Sequence, residues 1–224
     1  MNDEYWVEGV PATFATNGEK PWIRTIVSSL SGKEFFHDEI ELEFVITEER
    51  FKKYQYDIDN LCEPVFTALV RNLGWYQYKR SNIKKWYAFK RIGATEGVFI
   101  RNGINSHMQP LYPKEENLFD GVYQGKFPNH ATDDYMPVWL KTKRFDTING
   151  KSCSLHIQFG SEEISIASIC GGKVKPLIDC LYPILGGPKG APADHLVYSL
   201  LVEKGVTELQ KDQVAINIWS HGKS

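Results

Sequence analysis

The amino-acid sequence predicts an α+β fold of two tandem units, each with a mixed β-sheet and one main helix. Two observations lead to this prediction. Strand-like segments flank one strongly amphipathic helix in the first half, and the second half repeats that order. The 224 residues suffice for one large domain or two small ones, and 42% hydrophobic and 24% charged residues are typical of a packed protein.

Four segments of the first half have strand character. Residues 5–10 are short and rich in β-forming side chains, and residues 41–46 alternate polar with apolar side chains. Residues 82–90 and 97–100 are rich in aromatic and β-branched side chains. We therefore expect sheet strands here, each with one buried face.

The main helix is predicted to begin near Asp59 or Asn60, since either side chain can cap a helix. Pro64 then falls in the first turn, where its missing N–H is harmless. Gly74 ends the run. The apolar side chains that share one face are Leu61, Val65, Ala68, Leu69 and Leu73.

The second half can be laid over the first. At an offset of 112, residues 63–74 match residues 175–186 in their first proline, two leucines and final glycine. Two strand segments follow the same scheme, with 42–46 over 155–159 and 83–90 over 197–204. Chance similarity between two α/β segments is the alternative explanation.

This repeat divides the chain into two units of common domain size. The first unit covers residues 1–103 and the second covers residues 118–224. Residues 104–117 are rich in turn formers and poor in periodicity, which predicts a linker.

The first unit carries Asp57-Ile58-Asp59-Asn60-Leu61 at the start of its helix, followed by a turn and a strand that ends in lysine. This pattern resembles the RusA-type Holliday junction resolvases, small magnesium-dependent endodeoxyribonucleases that work as homodimers. The resemblance implies that Asp57 and Asp59 bind Mg²⁺ for phosphodiester hydrolysis and that Asn60 orients the ligands or the water. It also implies that the two units pack as an intramolecular pseudo-dimer.

The sequence departs from the family pattern in both units. In the first, Glu63 stands at the family's lysine position and Arg80 at the position of its third acid. The second unit lacks the opening aspartates, yet Lys175 stands at the lysine position and Asp194 at the third-acid position.

Three arrangements remain open. In a composite site, Asp57, Asp59 and Asn60 join Lys175, which stabilises the phosphoryl charge, and Asp194, which completes the metal shell. We then expect Asp194 within about 12 Å of both other aspartates, because Mg²⁺ ligands converge. In an altered site, Glu63 works with the two aspartates of its own unit. In the third arrangement the site has decayed, Asp59 only caps its helix and Asp57 is a solvated charge.

A basic and aromatic stretch in the first unit predicts a nucleic-acid-binding surface, because lysine and arginine neutralise phosphates while aromatic rings stack on bases. Its residues are Lys79, Arg80, Lys84, Lys85, Trp86 and Arg91. An exposed strand face with half-buried aromatic side chains is the alternative. With a net charge of −2, any DNA contact has to come from such a local patch.

The resulting functional hypothesis is a divergent Mg²⁺-dependent endodeoxyribonuclease of branched DNA, or a catalytically impaired relative that binds branched or double-stranded DNA. The alternative is a non-enzymatic protein-interaction module that presents aromatic side chains from Trp75 to Trp86 and Tyr112. The four cysteines form no CxxC pair, so neither zinc nor a disulfide framework is expected. We expect a cytoplasmic, soluble, monomeric protein without a membrane segment.

Overall fold

A computed structural model describes residues 4–34, 37–76, 82–104 and 116–221. One mixed sheet of eight strands forms the centre of the molecule. The strands are β1 Glu4–Glu8, β2 Glu39–Ile46, β3 Lys85–Ile92, β4 Gly97–Asn102, β5 Glu116–Gln124, β6 Cys153–Phe159, β7 Val197–Lys204 and β8 Gln213–Ser220. The helices are α1 Glu19–Leu30, α2 Glu48–Lys53, α3 Ile58–Phe66, α4 Tyr135–Leu140, α5 Val174–Asp179 and α6 Tyr182–Leu185. No helix in these described ranges is long and apolar enough to cross a membrane.

The strand order is β1-β4-β2-β3-β7-β6-β8-β5. In the first half, β2 pairs parallel with β3 and antiparallel with β4, which pairs antiparallel with β1. In the second half, β6 pairs parallel with β7 and antiparallel with β8, which pairs antiparallel with β5. The two halves meet through the antiparallel pair β3–β7. Both halves therefore have the same internal strand pairing.

The helices pack on one face of this sheet. Alternate strand side chains such as Leu42 and Phe44 of β2 and Leu155 of β6 join Ile26 of α1 and Leu61 of α3 in one apolar core. Side chains alternate between the two faces of a strand, so every second strand position faces this core.

The opposite sheet face carries buried charges, contrary to the expectation that residues 41–46 bury only one face. Glu41 and Glu43 are 0% and 3% exposed. Arg101 of β4 bridges them at 2.8 and 2.6 Å and also pairs with Glu4, while Arg91 of β3 pairs with Glu43. Their acidic side chains made the strand look half-exposed in sequence, but cross-strand arginines allow both to be buried.

The N-cap of helix α3 lies two or three residues earlier than expected. Asp57 occupies the N-cap position, Asp59 lies in the first turn, and Pro64 lies inside the helix. The helix then widens into a π-helical segment, Thr67–Asn72. Gly74 follows with φ +67°, a left-handed conformation that suits glycine and ends the helix.

The second half does not form the single long helix that the overlay predicts. Helix α5 ends at Asp179 and the short α6 begins at Tyr182, with Pro183 in its first positions. A proline ring clashes with the carbonyl group four residues before it, which here belongs to Asp179. Arg71 stands at the equivalent place in the first half, so no ring interrupts the helical segment there.

Arg101→Ala should strongly destabilise the protein, because it leaves the two buried carboxylates of Glu41 and Glu43 short of their shared cation. We expect a loss of about 3–5 kcal/mol in the free energy of unfolding, measured by urea denaturation. Lys52→Ala, which removes the exposed ion pair with Glu48, is the control and should cost at most about 1 kcal/mol. Equal losses in the two variants would contradict this account of the sheet.

Candidate active site

Four aspartates from both halves of the chain gather where the helices meet the centre of the sheet. Asp57 and Asp59 lie at the start of α3, and Asp179 is the last residue of α5. Asp194 opens the 3₁₀ turn Asp194–Leu196, which leads into β7. Residues more than 100 positions apart in sequence thus form one acidic cluster.

Lys175 of α5 is the cation within this cluster. Its Nζ lies 2.6 Å from Asp194 Oδ2, 3.1 Å from Asp59 Oδ2 and 3.1 Å from Asp179 Oδ1. Burial disfavours its charge, but the three carboxylates outweigh burial and raise the pKa of Lys175 above its usual value. Lys175 is therefore charged and supports an anionic environment.

A second lysine, Lys90 of β3, lies beneath the cluster and is 1% exposed. Its Nζ donates hydrogen bonds to the backbone carbonyl groups of Tyr56 at 2.7 Å and His195 at 2.9 Å. These carbonyl groups belong to the residues directly beside Asp57 and Asp194. Lys90 thus joins the two turns that carry the acids.

Asp57, Asp194 and His195 offer one ligand atom each within 4.8 Å of one another. Asp194 therefore lies well within the 12 Å expected from Asp57. Carboxylate oxygens suit Mg²⁺, whereas an imidazole nitrogen suits Mn²⁺ or Zn²⁺ better. The donor set fits a divalent cation, with Mn²⁺ accommodated at least as well as Mg²⁺.

The predicted ligand Asp59 lies apart from this trio of ligand atoms. It is 0% exposed, its ion-pair partner is Lys175, and neither carboxylate oxygen accepts a well-aligned hydrogen bond from the described residues. Burial raises the pKa of Asp59, and Lys175 only partly opposes that. Asp59 accordingly does not cap its helix but lies beside Lys175. Asp57 occupies the N-cap position and belongs to the acidic cluster, so it is not merely a solvated charge.

The pKa values of two other acids of the cluster are raised, mainly by burial. Burial, with repulsion from Asp194 and Asp59, raises the pKa of Asp57 to about 6. Burial likewise raises the pKa of Asp179 to about 6, although Lys175 opposes it. Burial lowers the pKa of His195, which favours the neutral imidazole that can bind a metal.

The remaining predicted site residues of the first unit orient its helix. The Asn60 side-chain amide donates to Asp57 Oδ2 at 2.7 Å, which fixes that carboxylate. Glu63 instead accepts backbone hydrogen bonds from Ile169 and Cys170, at 2.9 and 3.0 Å. One oxygen of Glu63 thus accepts both amide hydrogen bonds, and Glu63 is not among the three residues whose ligand atoms lie within 4.8 Å of one another.

The predicted nucleic-acid surface does not form as expected. Trp86 is 0% exposed, and its indole N–H donates to the carbonyl group of Ile166, so it cannot stack on a base. It lies on the strand face that the helices cover. The cations of this stretch face acidic partners, and two more predicted residues lie outside the described ranges. The pairs are Lys84–Asp38, Lys85–Glu203 and Arg91–Glu43, and the two outside residues are Lys79 and Arg80.

The aromatic surface of the protein-interaction hypothesis is also reduced. Trp75 is half-buried beside Tyr5, with ring centroids 6.3 Å apart, and Tyr76 is 4% exposed. The hydroxyl group of Tyr76 donates to the carbonyl group of His37. Tyr112 lies outside the described ranges.

Sequence reasoning missed three members of the site, namely Lys90, Asp179 and His195. Each has a recognisable place in the sequence. Lys90 interrupts an apolar strand, Asp179 follows Lys175 by four residues, and His195 directly follows Asp194. These features indicate a shared site only when the strand pairing that brings the segments together is known.

No protein-family model matches the chain, and no curated protein matches it. Among solved structures, cyanuric acid hydrolase from A. caulinodans matches with a TM-score of 0.28 and 10% identity, over 99% of this chain and 72% of that chain. A second cyanuric acid hydrolase, described as an innovation by structural concatenation, matches with a TM-score of 0.23 and 11% identity, over 98% of this chain and 67% of that chain. Similarity this weak carries no argument about fold or function.

Asp179→Asn should become more stabilising as the pH rises. Asp179 has a pKa of about 6 in the folded protein and about 4 when unfolded, so between these values only the folded form holds the proton. Stability from this group is therefore lost as the pH rises through that window, and an amide removes the loss. After discounting for solvent screening, we expect the melting temperature of the variant relative to wild type to gain roughly 2–4 °C between about pH 4 and pH 7.

Asp120→Asn, on the exposed edge strand β5, serves as the control and should show no pH-dependent gain. A constant difference between Asp179→Asn and wild type across this range would contradict the raised pKa.

Proposed function

We propose that this protein is a divalent-metal-dependent endodeoxyribonuclease of branched DNA, a divergent relative of the RusA-type resolvases. The observation that carries the proposal is the convergence of Asp57, Asp194 and His195 beside the charged Lys175. A nuclease needs acids that hold a divalent cation and a cation that stabilises the charge of the phosphoryl group in transfer. Both features come together in one cluster.

We also propose that the chain is two copies of one unit packed as an intramolecular pseudo-dimer. The identical strand pairing of the two halves around β3–β7 supports this. So do two reciprocal contacts. Lys175 of the second half reaches Asp59 of the first, while Glu63, its counterpart at the 112-residue offset, reaches Ile169 and Cys170 of the second. Lys175 and Glu63 are equivalent positions, and each contacts the segment that precedes the other, with the contacted residues one or two positions apart at this offset. Contacts that are reciprocal at the level of segments are consistent with a two-fold interface.

In this proposal the two copies have diverged in sequence, and residues from both form one catalytic site. Asp57 and Asp194 would hold a divalent cation together with His195, while Asn60 fixes the carboxylate of Asp57. A cation bound there would polarise the scissile phosphate and lower the pKa of a bound water. Lys175 lies beside Asp194, where it stabilises negative charge on the phosphate, and Asp59 positions Lys175. At the other position, Glu63 accepts hydrogen bonds from the backbone amide groups of Ile169 and Cys170, so we expect a single strand to be cut in each binding event.

A catalytically impaired DNA-binding relative is the second candidate. One observation favours it, because Lys175 already pairs with three carboxylates and so forms a partly neutralised ion-pair network. Such a network holds the halves together without chemistry. The two candidates differ in metal binding and cleavage, which can be measured separately.

Metal binding should appear as a rise in melting temperature on adding MnCl₂ or MgCl₂ at neutral pH. A cation that binds only the folded state stabilises it by about 2.7 kcal/mol at a hundredfold excess over its Kd. Asp194→Asn should abolish the rise for both metals, and His195→Ala should weaken it more for Mn²⁺ than for Mg²⁺. The exposed His130→Ala is the control. A rise that persists in Asp194→Asn would place the metal elsewhere.

Cleavage should be tested on a synthetic four-way junction with Mg²⁺ and with Mn²⁺. We expect the wild-type protein to nick the junction, and Asp57→Asn or Asp194→Asn to lower the rate about 100-fold or more by removing a metal ligand. Asp59→Asn should also lower the rate, by freeing Lys175 from its position. Asp120→Asn should leave the rate unchanged.

Junction binding measured in parallel at low and high salt separates the alternatives. Binding without cleavage that weakens steeply with salt would support the impaired DNA-binding relative. Neither cleavage nor binding would overturn the proposal and favour the protein-interaction module, whose aromatic contacts respond little to salt.

A further inference from the structure

A cleft of ≈ 810 Å³ opens beside the acidic cluster. It lies between the loop that precedes α1 and the segment that joins α2 to α3, and its lining includes Pro11, Pro21, Trp22, Arg50 and Tyr54. This volume is within the usual range of small-molecule sites, about 300–1,000 Å³. The cleft is therefore large enough for one nucleotide.

The chemistry of the cleft combines aromatic rings with a cation. Tyr54 is 44% exposed, and the guanidinium carbon of Arg50 lies 5.1 Å from its ring centroid. Arg50 Nε donates to the hydroxyl group of Tyr56 at 3.2 Å and lies 3.4 Å from Glu96. Both contacts use Nε, so the guanidinium is held in place by one nitrogen while its fork remains suited to a phosphate.

The floor of the cleft is formed in part by the indole ring of Trp22, which is 2% exposed and packs in the apolar core. Its N–H is itself buried, so Trp22 contributes an apolar surface to the cleft and no hydrogen bond.

One wall of the cleft adjoins the candidate active site along the chain. Tyr56 lines the cleft, and the next residue is Asp57. The backbone carbonyl group of Tyr56 is held by Lys90 at 2.7 Å. The backbone N–H of Phe14, in the loop on the other side, donates to the carbonyl group of Asn60 at 3.0 Å. Both walls of the cleft, at Tyr56 and in the loop of Phe14, therefore lie next to the first residues of α3.

We propose that this cleft binds one unstacked nucleotide, with its base against the aromatic lining and its phosphate on Arg50. The nucleotide belongs to an unpaired stretch of DNA next to the phosphate at Asp57. This inference rests on the proposed nuclease function, and it adds a substrate class, since the enzyme then prefers a splayed strand to an intact duplex. A base–aromatic contact is sequence-tolerant, so the site selects strand structure rather than base identity.

The test uses the full chain in EDTA and a fluorescein-labelled single-stranded oligonucleotide, with binding followed by anisotropy. Tyr54→Ala and Arg50→Gln should each weaken binding about 10-fold, through loss of stacking and of a phosphate contact. Tyr135→Ala, an exposed tyrosine elsewhere, and Lys52→Ala, an exposed cation of α2, are the matched controls and should have no effect. Thermal melting of each variant shows that it is folded.

A scan with one abasic position at a time identifies the bound nucleotide. One position should weaken wild-type binding about 10-fold and should have no further effect in Tyr54→Ala, because the ring and the missing base form the same contact. Additive losses at every position would overturn the inference. So would tight binding of deoxythymidine monophosphate with no binding of the oligonucleotide, since the cleft would then be a site for free nucleotides.

The four-way junction distinguishes this inference from the proposed function. If the junction is cut and bound equally by wild type, Tyr54→Ala and Arg50→Gln, only the cleft assignment fails. If wild type neither binds nor cuts the junction and also fails to bind the single strand, both proposals fail together.

Discussion

The candidate site depends on one buried cation, Lys90. Removing an ammonium group from water is costly, and this burial lowers the pKa of Lys90 to about 8. The two carbonyl groups that it binds, of Tyr56 and His195, partly offset that cost. Because these carbonyl groups belong to residues next to Asp57 and Asp194, the same cation holds the turns that carry both acids beside β3. The strand pair β3–β7 brings the second turn within its reach.

The charges above Lys90 do not balance. Four aspartates face two lysines, and burial, with repulsion between the carboxylates as a smaller cause, raises the pKa values of Asp57 and Asp179 to about 6. A buried carboxylate cluster can relieve such repulsion by taking up a proton or a cation. Near neutral pH the proton is largely lost from groups with these pKa values, so a divalent cation is the more effective counter-charge. The electrostatics and the ligand geometry therefore favour the same occupant.

Much of the sheet followed from its sequence pattern, and segment 197–204 coincides with β7. The overlay also indicated that Lys175 and Asp194 would accompany the aspartates of α3, which the structure brings together. Local patterns could not reveal the burial of Trp86, because a mixed run of cations and aromatic residues is equally typical of an exposed strand. Nor could they identify His195, whose position beside Asp57 depends on the antiparallel pairing of β3 with β7.

The asymmetry between the two halves has a physical explanation. Two identical acidic clusters beside a shared sheet would double the cost of burying unpaired carboxylates. In the first half, Glu63 binds two backbone amide groups of the loop around Ile169, a neutral partner that needs neither a metal ion nor a lysine. In the second half, Lys175 occupies the corresponding place and faces Asp59. One position thus joins the halves through backbone amide groups, whereas the other joins them through a buried ion pair within the acidic cluster.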